Sequence, residues 1–203
     1  MTAQKKIKVA ITGNIGSGKT TFTRYIFESG YPVIFADDIS KEILAHDPKV
    51  KAEIIKEFGE HAFNGKKVNK QYLSDEIFSN PNKLKRINSI LHPRVRIRIE
   101  QLTNEFYKNN NIVFVETALI FESKIEKMFD YIVLITADKD LRLKRSILSK
   151  NLSKEEFLKR NFNQISEDIK KKKAHFIFSN NDSKYNLKQK AILLTTLLNS
   201  TLN

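Results

Sequence analysis

Four short runs along the chain are apolar and rich in β-branched residues: Ile7 to Thr12, Pro32 to Ala36, Ile112 to Glu116 and Tyr131 to Thr136. Runs of this length without polar alternation mark strands buried on both faces, as in a parallel sheet. A fifth, weaker run covers Phe176 to Phe178. Helical patterns separate the runs, which is the βαβ order that covers both faces of such a sheet with helices. The pattern predicts an α/β chain, a doubly wound five-stranded parallel sheet in a single domain over residues 1–203.

The interval between the second and third strands is long and helical, and it predicts a helical lobe over about 52–107 embedded in the sheet domain. Asn80-Pro81 reads as an N-cap followed by proline at the first helical position. His92-Pro93 predicts a break, because a proline ring disfavours α geometry in the residue before it. After the fourth strand, residues 138–164 read as a helix-turn-helix, with Ser153 and Glu156 spaced as a capping box that starts the second helix. A segment of this kind, set at the end of a strand, predicts a lid.

With 203 residues the chain suits one α/β domain. It has no cysteine, which excludes disulfides and thiolate metal sites and accords with a reducing, cytoplasmic location. The apolar run near the N-terminus is broken by Lys8 and is too short for a signal sequence or a membrane span, so no membrane partner is expected. The net charge of +13 raises the question of nucleic acid. The lysines are scattered, however, and asparagine is abundant too, which points to a compositional bias; the one dense run, Lys170 to Lys173, lacks interleaved aromatics for base stacking. No nucleic-acid partner is expected.

Candidate chemistry begins at Gly13-Asn14-Ile15-Gly16-Ser17-Gly18-Lys19-Thr20, which fits the phosphate-loop pattern G-x-x-x-x-G-K-[ST] and is followed by Thr21. A strand precedes it and a helix follows it, as anion binding requires. The glycines let backbone N–H groups turn inward, and the helix N-terminus adds partial positive charge. In this arrangement Lys19 bridges the β- and γ-phosphates of ATP and the Thr20 hydroxyl is a ligand for Mg²⁺. A guanine-reading N-K-x-D motif is absent after the fourth strand, where the sequence is Ala137-Asp138-Lys139-Asp140, and this disfavours a GTPase.

Carboxylates follow two strands. Asp37 and Asp38 come at the end of the second, where strand ends line the ligand crevice of a doubly wound sheet. A carboxylate there accepts a proton from an attacking alcohol or holds it in line; alternatively one of the pair caps the next helix, and Asp38 is the residue expected to do so. Glu116 ends the third strand, where a carboxylate holding Mg²⁺ belongs, although aspartate is the usual residue. Glu122 reads either as part of the site or as a solvated charge.

These blocks, taken in order, resemble the dephospho-CoA kinase family. Thr12 to Thr20 match T-G-x-I-G-S-G-K-[ST], and Phe35-Ala36-Asp37-Asp38-Ile39 match D-A-D-x-I. Ile87 to Val95, with His92-Pro93, match L-N-x-I-x-H-P-x-V, and Ala118 to Glu122 match P-L-L-F-E. Arg145, Arg160, Gln164 and Asn180 follow at suitable spacing, so the likeness covers almost the whole chain. It implies a P-loop kinase fold and transfer of the ATP γ-phosphate to the ribose 3′-hydroxyl of dephospho-CoA, with ATP and Mg²⁺. It implies further that Asp37 is the catalytic aspartate, Arg145 a lid arginine, and Asn180 part of the adenine pocket. The lobe carrying His92 receives dephospho-CoA.

The chain departs from the family pattern at Phe35 for aspartate, Ala118 for proline and His175 for aspartate. Ser149 stands where many members have a second lid arginine, with Lys150 beside it. Two other functions remain to be weighed. One is a kinase for another small molecule, such as a nucleoside or nucleotide, which shares every motif except the H-P-x-V and F-E blocks. The other, of a different class, is a basic nucleic-acid-binding protein with a nucleotide switch.

Overall fold

The computed structural model describes residues 5–202, apart from the side chains at 78, 79 and 150. The polypeptide forms two compact units, one made of residues 5–35 and 102–202 and the other of Ala36–Gln101. The first unit is built on a parallel sheet of strands β1 (Ile7–Thr12), β2 (Val33–Phe35), β5 (Ile112–Glu116), β6 (Tyr131–Thr136) and β7 (Phe176–Ser179), in the order β2-β5-β1-β6-β7. β1 is central, and Val9, Ala10 and Ile11 have no exposed surface because helices lie over both faces of the sheet. Helix α1 (Lys19–Glu28) contributes Phe22 and Ile26 to one side of the core. Helix α9 (Lys184–Ser200) contributes Leu187, Ala191, Leu194 and Leu198 to the same cluster. Phe22 stacks on Phe178 with ring centroids 5.6 Å apart, fixing α1 against β7. Fully burying side chains of this size stabilises by roughly 1.5–3 kcal/mol each, so this cluster is a large favourable contribution to the unit.

The strand boundaries agree with the sequence pattern except at β7, which runs one residue further to Ser179, and at β2. That strand ends at Phe35, and Ala36 already begins helix α2 (Ala36–His46). The helix wins there because Ala36 and Ile39 recur at helical spacing and are both buried, while Asp37 and Asp38 fall in a first turn that favours negative charge. Asp38 is therefore inside the helix rather than at its cap. It is exposed, and its Oδ1 accepts from Lys41 Nζ at 2.7 Å.

The second unit begins upstream of the 52–107 expected for the lobe. After α2 come α3 (Pro48–Phe58), a short hairpin of β3 (Phe63–Asn64) and β4 (Lys67–Val68), α4 (Lys70–Ser79), and most of α5 (Pro81–Phe106). Its core joins Val50, Ile54 and Phe58 to Phe63, Leu73, Ile87, Ile90 and Leu91. Asn80 Oδ1 accepts from Asn82 N at 2.9 Å, and Pro81 opens α5 as the sequence indicates.

The expected break at His92-Pro93 does not occur, since α5 runs through Pro93 to Phe106. Proline inside a helix costs about 3 kcal/mol through its missing N–H and its clash with the preceding turn. Burial of Ile87, Ile90 and Leu91 before it and Ile99 after it outweighs that cost. The departure at His175 also has a local reason. Its Nδ1 accepts from Ile132 N at 3.0 Å, a task an aspartate oxygen there can equally perform.

Candidate active site

The segment from Gly13 to Gly18 links β1 to α1 and folds as a tight cradle. Gly16 and Gly18 have φ of 78° and 89°, in the region that favours glycine. Both are also crowded. A Cβ on Gly16 would lie 2.3 Å from the Arg142 carbonyl oxygen, and one on Gly18 would lie 2.1 Å from Asn180 Nδ2. Gly18 stands at the N-cap of α1, yet no side chain caps the helix and no acidic residue lies in its first turn. The leading amides and the positive end of the helix dipole are thus left for an anion. Asn14 Oδ1 and Ser17 Oγ are buried and, among the described residues, have no hydrogen-bond partner.

Three side chains converge beside this cradle. The Thr20 hydroxyl donates to Glu116 Oε1 at 2.8 Å, and Lys19 Nζ lies 4.0 Å from the same oxygen. Lys19 and Glu116 are each 7% exposed, so their charges act in a partly desolvated setting where attraction is strong. Thr20, at the rim, is exposed. A hydroxyl and a carboxylate this close fit Mg²⁺, which takes one or two protein oxygens and completes its shell with water and phosphate.

The cradle is held from outside by helices that follow β6. Helix α6 (Lys139–Lys150) and helix α7 (Lys154–Phe162) occupy the expected lid segment, and Ser153 and Glu156 make the reciprocal capping-box bonds. Arg142 of α6 is 6% exposed, and burial lowers its pKa from the usual value, countered by Glu167. Its guanidinium donates to Asn161 Oδ1 at 2.8 Å, to Ala137 O at 3.1 Å and to Ile15 O at 3.4 Å. Gln164 Oε1 accepts from Ile15 N at 2.8 Å, so both peptide groups of Ile15 are engaged by this region. Asn180, buried at the end of β7, donates from Nδ2 to Ser17 O at 2.8 Å, and Arg145 Nη1 donates to Asn180 O at 2.8 Å. A cavity of about 410 Å³ opens here, with Gly18, Lys19, Thr20, Thr21, Arg145 and Asn180 among its lining residues.

The structure therefore brings together the predicted Gly13, Asn14, Ile15, Gly16, Ser17, Gly18, Lys19, Thr20, Thr21, Glu116, Arg145 and Asn180 in the first unit. The family model for dephospho-CoA kinase matches residues 7–186 of the chain. The chain belongs to the dephospho-CoA kinase family. A dephospho-CoA kinase of Bacteroides fragilis is 34% identical over 179 residues, spanning 88% of this chain and 86% of that protein. The solved dephospho-CoA kinase from Campylobacter jejuni superposes with a TM-score of 0.70 at 28% identity, covering 94% of this chain and 96% of that one. A Thermus thermophilus protein of solved structure gives a TM-score of 0.81 at 30% identity, covering 96% of this chain and 98% of that one.

The blocks that carry the family likeness extend into the second unit, Ala36–Gln101. Asp37 is exposed in the first turn of α2, and His92 is half-buried on α5 with its pKa lowered from 6.5 by burial. The side chain of Lys150 lies outside the described residues. Two residues of the site were hidden from sequence reading. Arg142 precedes Arg145 by three positions on one helix, and composition cannot tell which of them reaches the loop. Lys170, one of four consecutive lysines to which the sequence assigns no role, has no exposed surface; it lies 3.0 Å from Glu122 Oε1, so Glu122 is not a solvated charge.

Proposed function

We propose that this kinase transfers the γ-phosphoryl group of ATP to the ribose 3′-hydroxyl of dephospho-CoA, giving ADP and coenzyme A. The observation that carries the reading is the convergence of Lys19 and Thr20 on Glu116 beside an uncapped helix N-terminus, in a chain of this family. The backbone amides of residues 13–18 and Lys19 bind the phosphates, and Arg145 and Asn180 line the nucleotide side of the cavity. Thr20 and Glu116 would hold Mg²⁺, which would supply positive charge against the phosphates of ATP. Asp37 takes the proton from the attacking hydroxyl as the new O–P bond forms and the bond to the ADP oxygen breaks. The lobe containing His92 receives the rest of the acceptor, and the α6–α7 segment excludes the water that would otherwise compete as acceptor. A reducing cytoplasm suits a chain without cysteine.

The test is ADP release with Mg²⁺-ATP and dephospho-CoA, run against a panel of nucleosides and nucleotides. Dephospho-CoA is expected to be the fastest acceptor, and faster turnover of a nucleoside would overturn the assignment. Among the described residues no helix is long and apolar enough to cross a membrane. Tight, steeply salt-dependent RNA binding would favour the nucleic-acid reading instead.

A further inference from the structure

A lysine with no exposed surface inside a run of four lysines requires a reason. Lys170 belongs to α8 (Glu167–Lys173), and its ammonium lies 3.0 Å from Glu122 Oε1 and 3.4 Å from the Ala118 carbonyl oxygen. Glu122 Oε1 also accepts from Ile165 N at 2.9 Å, while its Oε2 is buried with no hydrogen-bond partner among the described residues. A buried ion pair of this kind is a poor source of stability, because desolvating both charges offsets their attraction and an apolar pair of similar volume serves the core at least as well. Its geometry points elsewhere. Ile165 is next in the chain to Gln164, which holds Ile15 N in the middle of the phosphate loop. Arg142 holds the carbonyl of the same Ile15. Burial lowers the proton affinity of the Lys170 ammonium against the pull of Glu122, and the nearby cations Lys19 and Arg142 add smaller contributions in the same direction as burial.

We propose that Lys170 and Glu122 are positioning residues for the phosphate loop: the pair fixes Ile165, Ile165 fixes Gln164, and Gln164 sets Ile15 and the amides that wrap the nucleotide. The pair does not touch the nucleotide. It acts through the loop, so its removal affects ATP more than the acceptor. This inference rests on the kinase reading above, but its test rests on nucleotide binding alone.

The double variant Lys170→Met with Glu122→Leu removes both charges together and leaves no ion unpaired, so the fold is expected to survive with a melting temperature close to that of the parent. ATP affinity, measured by calorimetry, is expected to weaken about tenfold or more, the scale of one lost charge-assisted hydrogen bond. In steady-state kinetics KM for ATP rises while KM for the acceptor is unchanged, a split that a merely structural pair would not produce. A folded double variant whose ATP affinity lies within about twofold of the parent overturns the proposal. If the double variant does not fold, hydrogen exchange on the parent protein carries the test. The peptide segments holding Ile15 and Ile165 are expected to gain protection together on adding ATP, and protection at Ile15 alone overturns it. A parent that binds ATP but does not phosphorylate dephospho-CoA would refute the acceptor assignment and leave this test intact.

Discussion

Gly18→Ala isolates the geometry of the phosphate loop from its chemistry, because it adds one methyl group and no charge. Two costs can be worked from the structure. Gly18 has φ of 89° and ψ of 15°, so an alanine there pays about 1–2 kcal/mol for the left-handed region. The new Cβ would also lie 2.1 Å from Asn180 Nδ2, which must move away and release its 2.8 Å bond to the Ser17 carbonyl. Leaving those buried groups unsatisfied costs about 1–3 kcal/mol. The sum, roughly 2–5 kcal/mol, falls on the fold if the loop keeps its shape. For a chain of this length that lowers the melting temperature by about 2–4 °C per kcal/mol. If the loop relaxes instead, the cost falls on the nucleotide, with ATP affinity down by about one and a half to three and a half orders of magnitude at tenfold per 1.4 kcal/mol.

Thermal melting and ATP calorimetry on the same preparation separate the two outcomes. Adding Asn180→Gly to Gly18→Ala removes the clash while keeping the φ cost, so the double variant is expected to be less impaired than the sum of the singles, as neighbours that share a contact should be. The obstacle at Gly16 is different, since its Cβ would meet the backbone carbonyl of Arg142 at 2.3 Å, which no side-chain rotation relieves. Gly16→Ala is therefore the more damaging change. If Gly18→Ala leaves both the melting temperature and ATP affinity at parental values, the cradle does not have the geometry described and the reasoning fails.

Asp37→Asn is expected to lose about 10²–10⁴-fold in kcat with ATP affinity within a few-fold, the usual scale for a general base. Asp38→Asn is expected to change stability by under about 1 kcal/mol, since it breaks only an exposed pair with Lys41; steady-state turnover and melting of both variants check this, and the reverse result would sink the assignment of the base. Glu116→Gln is expected to raise the Mg²⁺ concentration needed for half-maximal turnover, read from a metal titration at saturating ATP, while an unchanged requirement would remove Glu116 from the metal site. His92 has its pKa lowered by burial, so the unfolded chain binds a proton that the native chain resists. Stability is thus undiminished above about pH 6.5 and declines as pH falls below it, and His92→Gln is expected to flatten that decline in denaturant titrations between pH 5 and pH 7.

The sheet was legible because its strands are short and mostly apolar, and burial on both faces leaves no other option for Val9, Ala10 and Ile11. The phosphate loop was legible because its glycines answer a backbone requirement that no other residue meets. The end of β2 was misjudged by one residue, since Ala36 is apolar enough for a strand and the helical spacing of Ala36 and Ile39 becomes decisive only when both are buried. The hairpin of β3 and β4 has two residues per strand, too few for any period to show. Pro93 misled for another reason. A local rule set against burial on both sides of it lost, and no local pattern reports how much apolar surface a distant partner will cover.

Lys170 shows most clearly where sequence reading stops. In a chain with 36 basic residues, four consecutive lysines look like one solvated feature, and three of them, Lys171, Lys172 and Lys173, are exposed. Helical spacing turns each of the four to a different direction, so one of them can face inward while its neighbours face water. Which one does so depends on Glu122, 48 positions earlier by subtraction of the residue numbers, and on a backbone amide at Ile165 that has no identity in the sequence. The phosphate loop has its own signature because its chemistry is carried by glycine, lysine and a hydroxyl at fixed spacing. The residues that hold the loop in place act through carbonyls and amides supplied by any residue type, and so they become visible only when the chain is folded. A search for further positioning residues in this protein should therefore start from the peptide groups of Asn14 to Ser17 and ask what holds each one.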